Sequence, residues 1–259
     1  MSNFNYNKVL IIGATSGIGQ ALAAKFIKEG IKVVITGRRE DRLKAFTAEN
    51  GGDFEVFDIT QLSDIPQFVE KLTQGHPDID AVILNSGIQR GFNFTKPETV
   101  SLDVINEELT VNYLSYINLT TALLPFFLKK DSSALIYVTS TLGMVPLARC
   151  PNYCATKAAL HHFVLSLRNQ LKGTSVKVLE ILPPAVQTEL HDEINQPDMK
   201  GSPKVGMPID EFVEETWRDL NAGNEFNEFP IGFGKVVYNA VEPSRREIMQ
   251  KFPQSPANV

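Results

Sequence analysis

Features that mark several protein classes are scarce in this sequence. Only two of its 259 residues are cysteines, Cys150 and Cys154, and neither has another cysteine or a histidine at the spacing of a metal site. No apolar run is long enough to span a bilayer, and the first residues lack the basic region and long apolar stretch of a secretory signal. We therefore expect small buried thiols, no metal site, no membrane partner and a cytoplasmic protein. His161 and His162 are expected to serve in packing.

Positive charge is also in deficit. The 25 lysines and arginines are outnumbered by 30 aspartates and glutamates, which gives a net charge of -5. Because nucleic acids are bound through clustered basic side chains, we do not expect a nucleic-acid partner. The hydrophobic fraction of 43% is ordinary for a globular protein. The length allows a single domain over residues 1–259.

Short apolar runs alternate with stretches of helical spacing along most of the chain. Nearly every residue of these runs is apolar, which indicates strands that are buried on both faces of a sheet. Between them, apolar residues recur at helical spacing, as Ile65, Phe68 and Leu72 do. This order predicts an α/β fold with a doubly wound parallel sheet of the Rossmann type and helices on both faces. The predicted strands are Val9–Ile12, Val33–Thr36, Phe54–Phe57, Ala81–Leu84, Leu135–Val138 and Val176–Leu182.

Two longer helices are predicted on either side of the fifth strand, over Leu102–Leu128 and Tyr153–Lys172. Pro125 is expected to bend or shorten the first of them. After the sixth strand, frequent prolines and glycines predict a mobile loop up to Pro208. A helix over Asp210–Leu220 and a short strand over Phe229–Ile231 follow, and the tail has no clear pattern.

Residues 183–225 are expected to form a substrate loop and a lid helix, since specificity in this kind of fold resides in such segments. The segment contains several apolar side chains that can form either the wall of a pocket or the core of the lid itself. They are Leu190, Ile194, Met199, Val205, Met207 and Trp217.

The first predicted strand leads directly into a turn with three glycines, Gly13-Ala14-Thr15-Ser16-Gly17-Ile18-Gly19, and then into a helix. Glycine lets backbone N–H groups approach a ligand closely, and the helix N-terminus supplies partial positive charge for a pyrophosphate. A tight turn without a ligand is the alternative, but the position after the first strand favours a dinucleotide site. The predicted contacts are Gly13, Thr15, Ser16, Gly17, Ile18 and Gly19.

The end of the second predicted strand distinguishes between the two nicotinamide cofactors. An acidic residue there would bind the ribose of NAD, but the sequence has Gly37, Arg38 and Arg39. Gly37 leaves room for a phosphate on the ribose, and the Arg38 guanidinium offers donors to its oxygens. We therefore expect NADP(H), with Arg38 as the leading contact. The alternative is that both arginines belong to a solvated helix start beside Glu40 and Asp41.

These motifs resemble those of the short-chain dehydrogenases/reductases. The glycine turn is similar to the T-G-x-x-x-G-x-G turn of that family, with Ile12 in place of threonine. Tyr153 and Lys157 match its Tyr-x-x-x-Lys pair, although this spacing alone also fits two ordinary helix-surface residues. Ser140 precedes Tyr153 at the family spacing, and Asn112 lies in the preceding helix. The resemblance implies that these four residues form the catalytic group.

The chemistry that the resemblance implies is the movement of a hydride between a nicotinamide and a carbonyl carbon. Tyr153 exchanges a proton with the substrate oxygen, and the positive charge of Lys157 makes its phenolate accessible near neutral pH. Ser140 donates a hydrogen bond to the same oxygen. The resemblance further implies that Lys157 binds the nicotinamide ribose and that Asn112 holds a water that relays protons.

Further positions match the family near the predicted cofactor. Asp58 resembles the residue that contacts the adenine, although a plain turn acid is an alternative. Asn85, Ser86 and Gly87 resemble the segment beside the cofactor after the fourth strand.

A second segment of this kind follows the sixth strand. Pro183, Val186 and Thr188 resemble residues near the nicotinamide, with Pro184 in place of a glycine. An ordinary helix cap is the alternative for Thr188.

The leading functional prediction is an NADPH-dependent carbonyl reductase that also works in reverse as an alcohol dehydrogenase, because cells keep NADP mostly reduced. The alternatives are an oxidative NADP-dependent dehydrogenase of a hydroxy acid or polyol, and a dinucleotide-binding regulator without catalysis. The expected partner is a small carbonyl or alcohol substrate. The resemblance also implies a homodimer or homotetramer, built on the two long helices.

Overall fold

The computed structural model describes residues 4–201 and 205–252, and within these residues seven parallel strands form one sheet. The strand order is β3-β2-β1-β4-β5-β6-β7, so the chain reverses direction across the sheet between β1 and β4. This arrangement confirms the predicted doubly wound sheet. The strands are β1 (Lys8–Ile12), β2 (Lys32–Gly37), β3 (Asp53–Val56), β4 (Ala81–Leu84), β5 (Ser133–Val138), β6 (Val176–Leu182) and β7 (Glu228–Pro230).

Helices cover both faces of the sheet and bury an apolar cluster against each. Val9 and Ile11 of β1 belong to one cluster, and Leu10 and Ile12 belong to the other, since successive side chains of a strand point to opposite faces. This two-sided burial explains the continuous apolar runs of the sequence. The helices of the described residues are α1 (Gly17–Lys28), α2 (Glu40–Asn50), α3 (Ile65–Gly75), α4 (Leu102–Leu109), α5 (Ser115–Phe127), α6 (Pro151–Gln170), α7 (Ile209–Ala222) and α8 (Gly234–Met249).

The long helix predicted before β5 is two helices joined by a wider turn. Residues Thr110–Leu114 form one turn of π-helix between α4 and α5. Such turns are rare and occur often at functional sites, and this one contains Asn112. Pro125 lies in the last turn of α5, which ends at Phe127. Because Pro125 lies so near the end of α5, it disturbs only the last turn of that helix.

The segment after β6 has more regular structure than the predicted loop. Short 3₁₀ helices occupy Glu189–His191 and Pro197–Met199, and Val186 pairs with Met207 in an isolated bridge. Residues 202–204, which include the predicted turn residue Pro203, lie outside the described residues.

The chain after β7 contains a helix that the sequence did not predict. Helix α8 has Pro243 in its interior, where a proline disfavours a helix. Residues 253–259 of the tail lie outside the described residues. In the part of the chain that is described, no helix combines the length and the apolar character needed to cross a bilayer.

Candidate active site

One cleft of about 650 Å³ lies at the carboxyl ends of the strands, where β1 and β4 part. The structure describes all of the predicted site residues. All of them line this cleft except Gly19 and Asn112. The others lie along it from the glycine turn to the segment after β6: Gly13, Thr15, Ser16, Gly17, Ile18, Gly37, Arg38, Arg39, Asp58, Asn85, Ser86, Gly87, Ser140, Tyr153, Lys157, Pro183, Val186 and Thr188.

The glycine turn has a backbone that a side chain would disrupt. Gly13 has φ of 83°, and a Cβ atom there would overlap Ser86. Gly19 lies behind the turn, where a Cβ atom would overlap the Gly13 carbonyl oxygen and the Asn85 amide. The Asn85 Nδ2 donates to that same carbonyl oxygen over 2.8 Å. The turn is therefore held close to the end of β4, and its surface is open to a ligand.

An arginine from the start of α2 lies against the glycine turn. The Arg39 Nε donates to Thr15 Oγ1 over 2.9 Å, and its Nη2 donates to Ser16 Oγ over 2.8 Å. Glu189, which follows β6, accepts from Arg39 Nη1 at 3.1 Å and from Arg42 Nη1 at 2.6 Å. The hydrogen bonds from these two arginines hold the pKa of Glu189 below its usual range. Two guanidinium groups and two hydroxyls thus converge at this end of the cleft.

Arg38 is the residue that the sequence favoured as the contact for the cofactor phosphate, and its side chain points less directly at the glycine turn than that of Arg39 does. The Arg38 side chain is 59% exposed, and its Nη1 lies 3.9 Å from Asp58 Oδ2. Asp58 Oδ1 accepts from both the backbone N–H and the hydroxyl of Thr60, as a turn acid does. Arg38 and Asp58 both line the cleft, but Arg39 rather than Arg38 contacts the glycine turn. Arg42 was missed by the sequence analysis, although it lies one helical turn from Arg39.

The predicted catalytic side chains converge at the middle of the cleft. Ser140 begins the short helix Thr141–Gly143, and its Oγ accepts from Leu142 N over 3.1 Å. Its hydroxyl proton is therefore available to another acceptor. Burial raises the pKa of Tyr153, and a hydrogen bond with Ser140 lowers it. Both residues line the same cleft.

Lys157 supplies the positive charge beside this pair. Its Nζ donates to the Val138 carbonyl over 2.9 Å and lies 5.8 Å from the centre of the Tyr153 ring. Burial lowers the pKa of Lys157 to about 8, against the opposing effect of the Glu180 carboxylate. An ammonium group at this position favours the phenolate form of Tyr153.

Asn112 is fully buried in the π-helical turn. Its Oδ1 accepts from Ile88 N, and its Nδ2 donates to Ile88 O and to Thr156 Oγ1, with distances of 2.9, 2.9 and 3.1 Å. The Asn112 side chain therefore fixes the loop after β4 to α6. A proton-relaying water at Asn112 stays a prediction.

Thr188 caps a short helix after β6, and its predicted contact with the nicotinamide stays a prediction. Thr188 Oγ1 accepts from Leu190 N over 3.3 Å, so Thr188 caps the short helix Glu189–His191. The same residue lines the cleft opposite Gly17. Pro183 contributes its carbonyl oxygen, which accepts from Thr141 N at 3.1 Å.

The apolar residues of the predicted lid divide into two groups. Leu190, Met199 and Val205 line the cleft. Met207 and Trp217 pack against the core cluster that contains β1 and α1, and Ile194 is 88% exposed. Half of the candidate residues are thus pocket wall, and the rest are not.

A polar group that the sequence did not reveal contributes to the lining of the cleft. Arg149 lines the cleft, and its Nη1 donates to Asp198 Oδ2 over 2.6 Å, while its Nη2 contacts Gln196. Gln196 Nε2 in turn donates to the buried Gln89 Oε1 over 2.8 Å. No motif marks these residues, because they meet only through the fold.

Comparisons with known proteins agree with this geometry. A family model described as short chain dehydrogenase matches residues 7–199. The chain is 35% identical over 220 residues to the uncharacterized oxidoreductase DltE of Bacillus subtilis, which covers 85% of this chain and 86% of that protein. It is 38% identical over 184 residues to a serine 3-dehydrogenase of Agrobacterium fabrum, with coverage of 70% and 72%. It is 33% identical over 177 residues to an NADP-dependent 3-hydroxy acid dehydrogenase of Salmonella typhi, with coverage of 68% and 71%.

Solved structures resemble it as a whole. A short-chain dehydrogenase from Sphingobium yanoikuyae in complex with NADPH has a TM-score of 0.79 at 25% identity, and the match covers 96% of this chain and 98% of that one. The closed form of a serine dehydrogenase complexed with NADP+ has a TM-score of 0.74 at 28% identity, with coverage of 86% and 93%. With the family model matching most of its length, the chain belongs to the short chain dehydrogenase family.

Proposed function

We propose that this protein is an NADP(H)-dependent dehydrogenase of a small hydroxy acid, and that it interconverts the hydroxyl group with a carbonyl. The observation that carries the proposal is the Arg149 guanidinium in the lining of the cleft that also contains Ser140, Tyr153 and Lys157. The relatives described as serine 3-dehydrogenase and 3-hydroxy acid dehydrogenase support it, since both names denote a hydroxyl near a carboxylate. This is the oxidative alternative from the sequence, and it displaces carbonyl reduction as the leading hypothesis.

The residues of the cleft fit a dinucleotide that carries a phosphate in addition to its pyrophosphate. The open glycine turn offers backbone N–H groups to a pyrophosphate, and Arg39, Arg42, Thr15 and Ser16 offer donors to a further phosphate. NADP(H), which the sequence predicted, is the cofactor named for the related 3-hydroxy acid dehydrogenase and for both structural neighbours. When bound, it supplies or accepts the hydride.

The side chains of this protein handle the proton and the charge. In the oxidative direction, the Tyr153 phenolate takes the proton of the substrate hydroxyl, and in the reductive direction its phenol returns that proton. Ser140 donates a hydrogen bond to the same oxygen, because its own Oγ already accepts from Leu142 N. The Lys157 ammonium, whose Nζ lies 5.8 Å from the centre of the Tyr153 ring, stabilises the phenolate.

Arg149 gives the site its preference for a carboxylate. Its planar guanidinium can bind two carboxylate oxygens at once, and in this structure it is held by the Asp198 carboxylate. A substrate carboxylate takes the place of Asp198, and residues 183–225 act as the substrate loop and lid that supply this exchangeable partner. The predicted homodimer or homotetramer is not needed for this arrangement.

The carbonyl reductase is a second candidate, and the walls of the cleft favour it. Val145, Leu147 and Phe233 line the cleft with exposed apolar surface, which suits an aldehyde or ketone with an apolar body. The hypothesis of a regulator without catalysis has less support, because Ser140, Tyr153 and Lys157 meet in one cleft.

The test compares substrates with and without a carboxylate. We expect NADP+ reduction with a panel of 3-hydroxy acids, and weak or absent turnover of the matched alcohols in which a methyl group replaces the carboxylate. Arg149→Met should lower kcat/KM for the acids by about 10- to 100-fold, the scale of a hydrogen bond to a charged group, while Arg149→Lys retains part of it. Equal turnover of the alcohols would overturn the hydroxy-acid proposal in favour of the carbonyl reductase.

A further inference from the structure

A fully buried histidine lies between two buried carboxylates beneath the active site. His161 Nδ1 is 2.8 Å from Glu180 Oε1, and His161 Nε2 is 3.3 Å from Glu242 Oε1. All three side chains are at most 2% exposed. Buried charges are costly to a fold and rarely add stability when compared with apolar packing. This group therefore calls for a role in addition to its contribution to stability.

Glu180 connects the two elements that carry the catalytic side chains. Its Oε1 accepts from Thr139 Oγ1 over 2.6 Å, and Thr139 is the residue before Ser140 at the end of β5. The same oxygen contacts His161, which lies one turn after Lys157 on α6. Glu180 Oε1 thus fixes the end of β5 to α6.

The second oxygen of Glu180 has few partners of its own. Glu180 Oε2 accepts no hydrogen bond from the described residues, and its nearest cation is Arg168 Nη2 at 3.9 Å. Arg168 makes its short contact elsewhere, with Glu228 Oε1 on β7 at 2.6 Å. The Glu180 carboxylate is therefore balanced mainly by His161, which lies one turn after Lys157 on α6.

We propose that Glu180 is a positioning residue for the hydride-transfer site, which orients Ser140 through Thr139 and stabilises the Lys157 ammonium with its buried negative charge. The proposal rests on the proposed roles of Ser140, Tyr153 and Lys157, and it does not depend on which hydroxy acid is the substrate.

The charges that surround this group come from several elements. Helix α6 contributes His161, His162 and Arg168, β6 contributes Glu180, β7 contributes Glu228, and α8 contributes Glu242, Arg245 and Arg246. Arg245 Nη1 contacts Glu242 Oε1 at 2.7 Å. Glu242 is thus neutralised from its own helix as well as by His161.

Charge at Glu180 has a defined effect on the catalytic lysine. Burial lowers the pKa of Lys157 to about 8, and Glu180 is the group that opposes this lowering. Loss of the Glu180 charge would lower that pKa further, so the ammonium would be lost at a lower pH. The phenolate of Tyr153 would then lose its stabilising partner.

Glu180→Gln and Glu242→Gln form a matched pair for the test. Both remove one of the two buried carboxylates on His161, but Glu180 alone contacts Thr139 and acts on Lys157. We expect both variants to unfold at lower urea concentration. In the pH profile of kcat/KM, we expect the basic limb of Glu180→Gln to move down by about one pH unit, and that of Glu242→Gln to stay in place.

A titration of the apo protein gives a readout without substrate or cofactor. In lysine-labelled protein, the Lys157 side-chain resonance should titrate at lower pH in Glu180→Gln than in the wild type, and Glu180→Asp should restore the wild-type midpoint in part. This measurement stays valid if the hydroxy-acid proposal fails, because it involves no substrate.

Two outcomes would overturn the proposal. One is an unchanged Lys157 midpoint in Glu180→Gln, and the other is an equal shift in Glu242→Gln. If Glu180→Gln does not fold, Thr139→Val keeps the Glu180 carboxylate and removes the hydrogen bonds of Thr139 Oγ1 to Glu180 Oε1 and Ile181 O. We expect this variant to lower kcat by about 10-fold, the scale of one lost hydrogen bond, with the Lys157 midpoint unchanged. An unaltered kcat in Thr139→Val would contradict the positioning of Ser140.

Discussion

The Arg39 guanidinium and the Thr15 hydroxyl are joined by a hydrogen bond of 2.9 Å between Nε and Oγ1. This bond connects the end of β2 with the glycine turn after β1. Gly37 permits it, because a Cβ atom at Gly37 would overlap the Thr15 side chain. The end of β2, where the sequence predicts discrimination between NAD and NADP, is therefore in direct contact with the glycine turn.

Replacement of Arg39 should weaken NADPH binding more than replacement of Arg38. We expect Arg39→Ala to raise the Kd for NADPH by about 10-fold or more, the scale of a hydrogen bond to a charged group, and to change the Kd for NADH little. Isothermal titration calorimetry with both cofactors and with Arg38→Ala as the matched variant measures this. A larger loss in Arg38→Ala would restore the order that the sequence suggested.

Glu189 should compete with the cofactor for Arg39 and Arg42. Its carboxylate pairs with both guanidinium groups in this structure, so a cofactor phosphate must displace it. We expect Glu189→Gln to bind NADPH about 2- to 5-fold more tightly, in line with the strength of a partly exposed ion pair. The control is Glu193→Gln on the same segment, where Glu193 accepts a hydrogen bond from Gly201 N. Equal affinities in the two variants would rule the competition out.

Removal of the Tyr153 hydroxyl should stop the reaction while leaving the cofactor bound. Tyr153→Phe keeps the buried ring but lacks the group that exchanges the proton, so kcat should fall by at least about 100-fold. Calorimetry should give an NADPH affinity close to that of the wild type. Tyr113→Phe, on the π-helical turn and outside the lining of the cleft, is the control that should keep its activity. Substantial turnover by Tyr153→Phe would mean that another group transfers the proton.

The stability of the protein should fall as pH rises through the titration of His161. Burial lowers the pKa of His161, but Glu180 and Glu242 raise it more, so that it moves from 6.5 to about 9. The folded state then binds a proton more tightly than the unfolded state. The resulting stabilisation is complete below pH 6.5 and is lost as pH rises to about 9.

The measurement is urea unfolding followed by circular dichroism over this pH range, in the wild type and in His161→Gln. The difference between the two proteins isolates His161, because the lowered pKa of Lys157 affects both and acts in the opposite direction. A difference in unfolding free energy that does not change with pH would mean that His161 is not charged in the folded state.

Most of the fold, and the meeting of Ser140, Tyr153 and Lys157 in one cleft, could be predicted from sequence, because both depend on short-range patterns. Strands buried on two faces read as continuous apolar runs, and the glycine turn and the Tyr153–Lys157 pair are contiguous or one helical turn apart. Helix α8 was missed, since its interior Pro243 resembles a breaker. It is nevertheless anchored by long-range contacts such as that of Glu242 with His161.

The contacts missed from sequence join residues that are far apart in the chain. Arg42 and Glu189 are separated by 147 positions, and Gln196 and Gln89 by 107. Local patterns carry no information about such pairs. For the same reason, the sequence could not show which apolar residues of the lid line the pocket, as Met199 does, and which pack in the core, as Trp217 does.

The position of Trp217 has a practical consequence. It is the only tryptophan of the chain, and its ring lies 5.4 Å from that of Phe26 and 5.8 Å from that of Phe4, away from the lining of the cleft. Its intrinsic fluorescence therefore reports on the docking of α7 against α1. A change in emission marks the separation of these helices, and the catalytic residues can be varied without disturbing that optical signal.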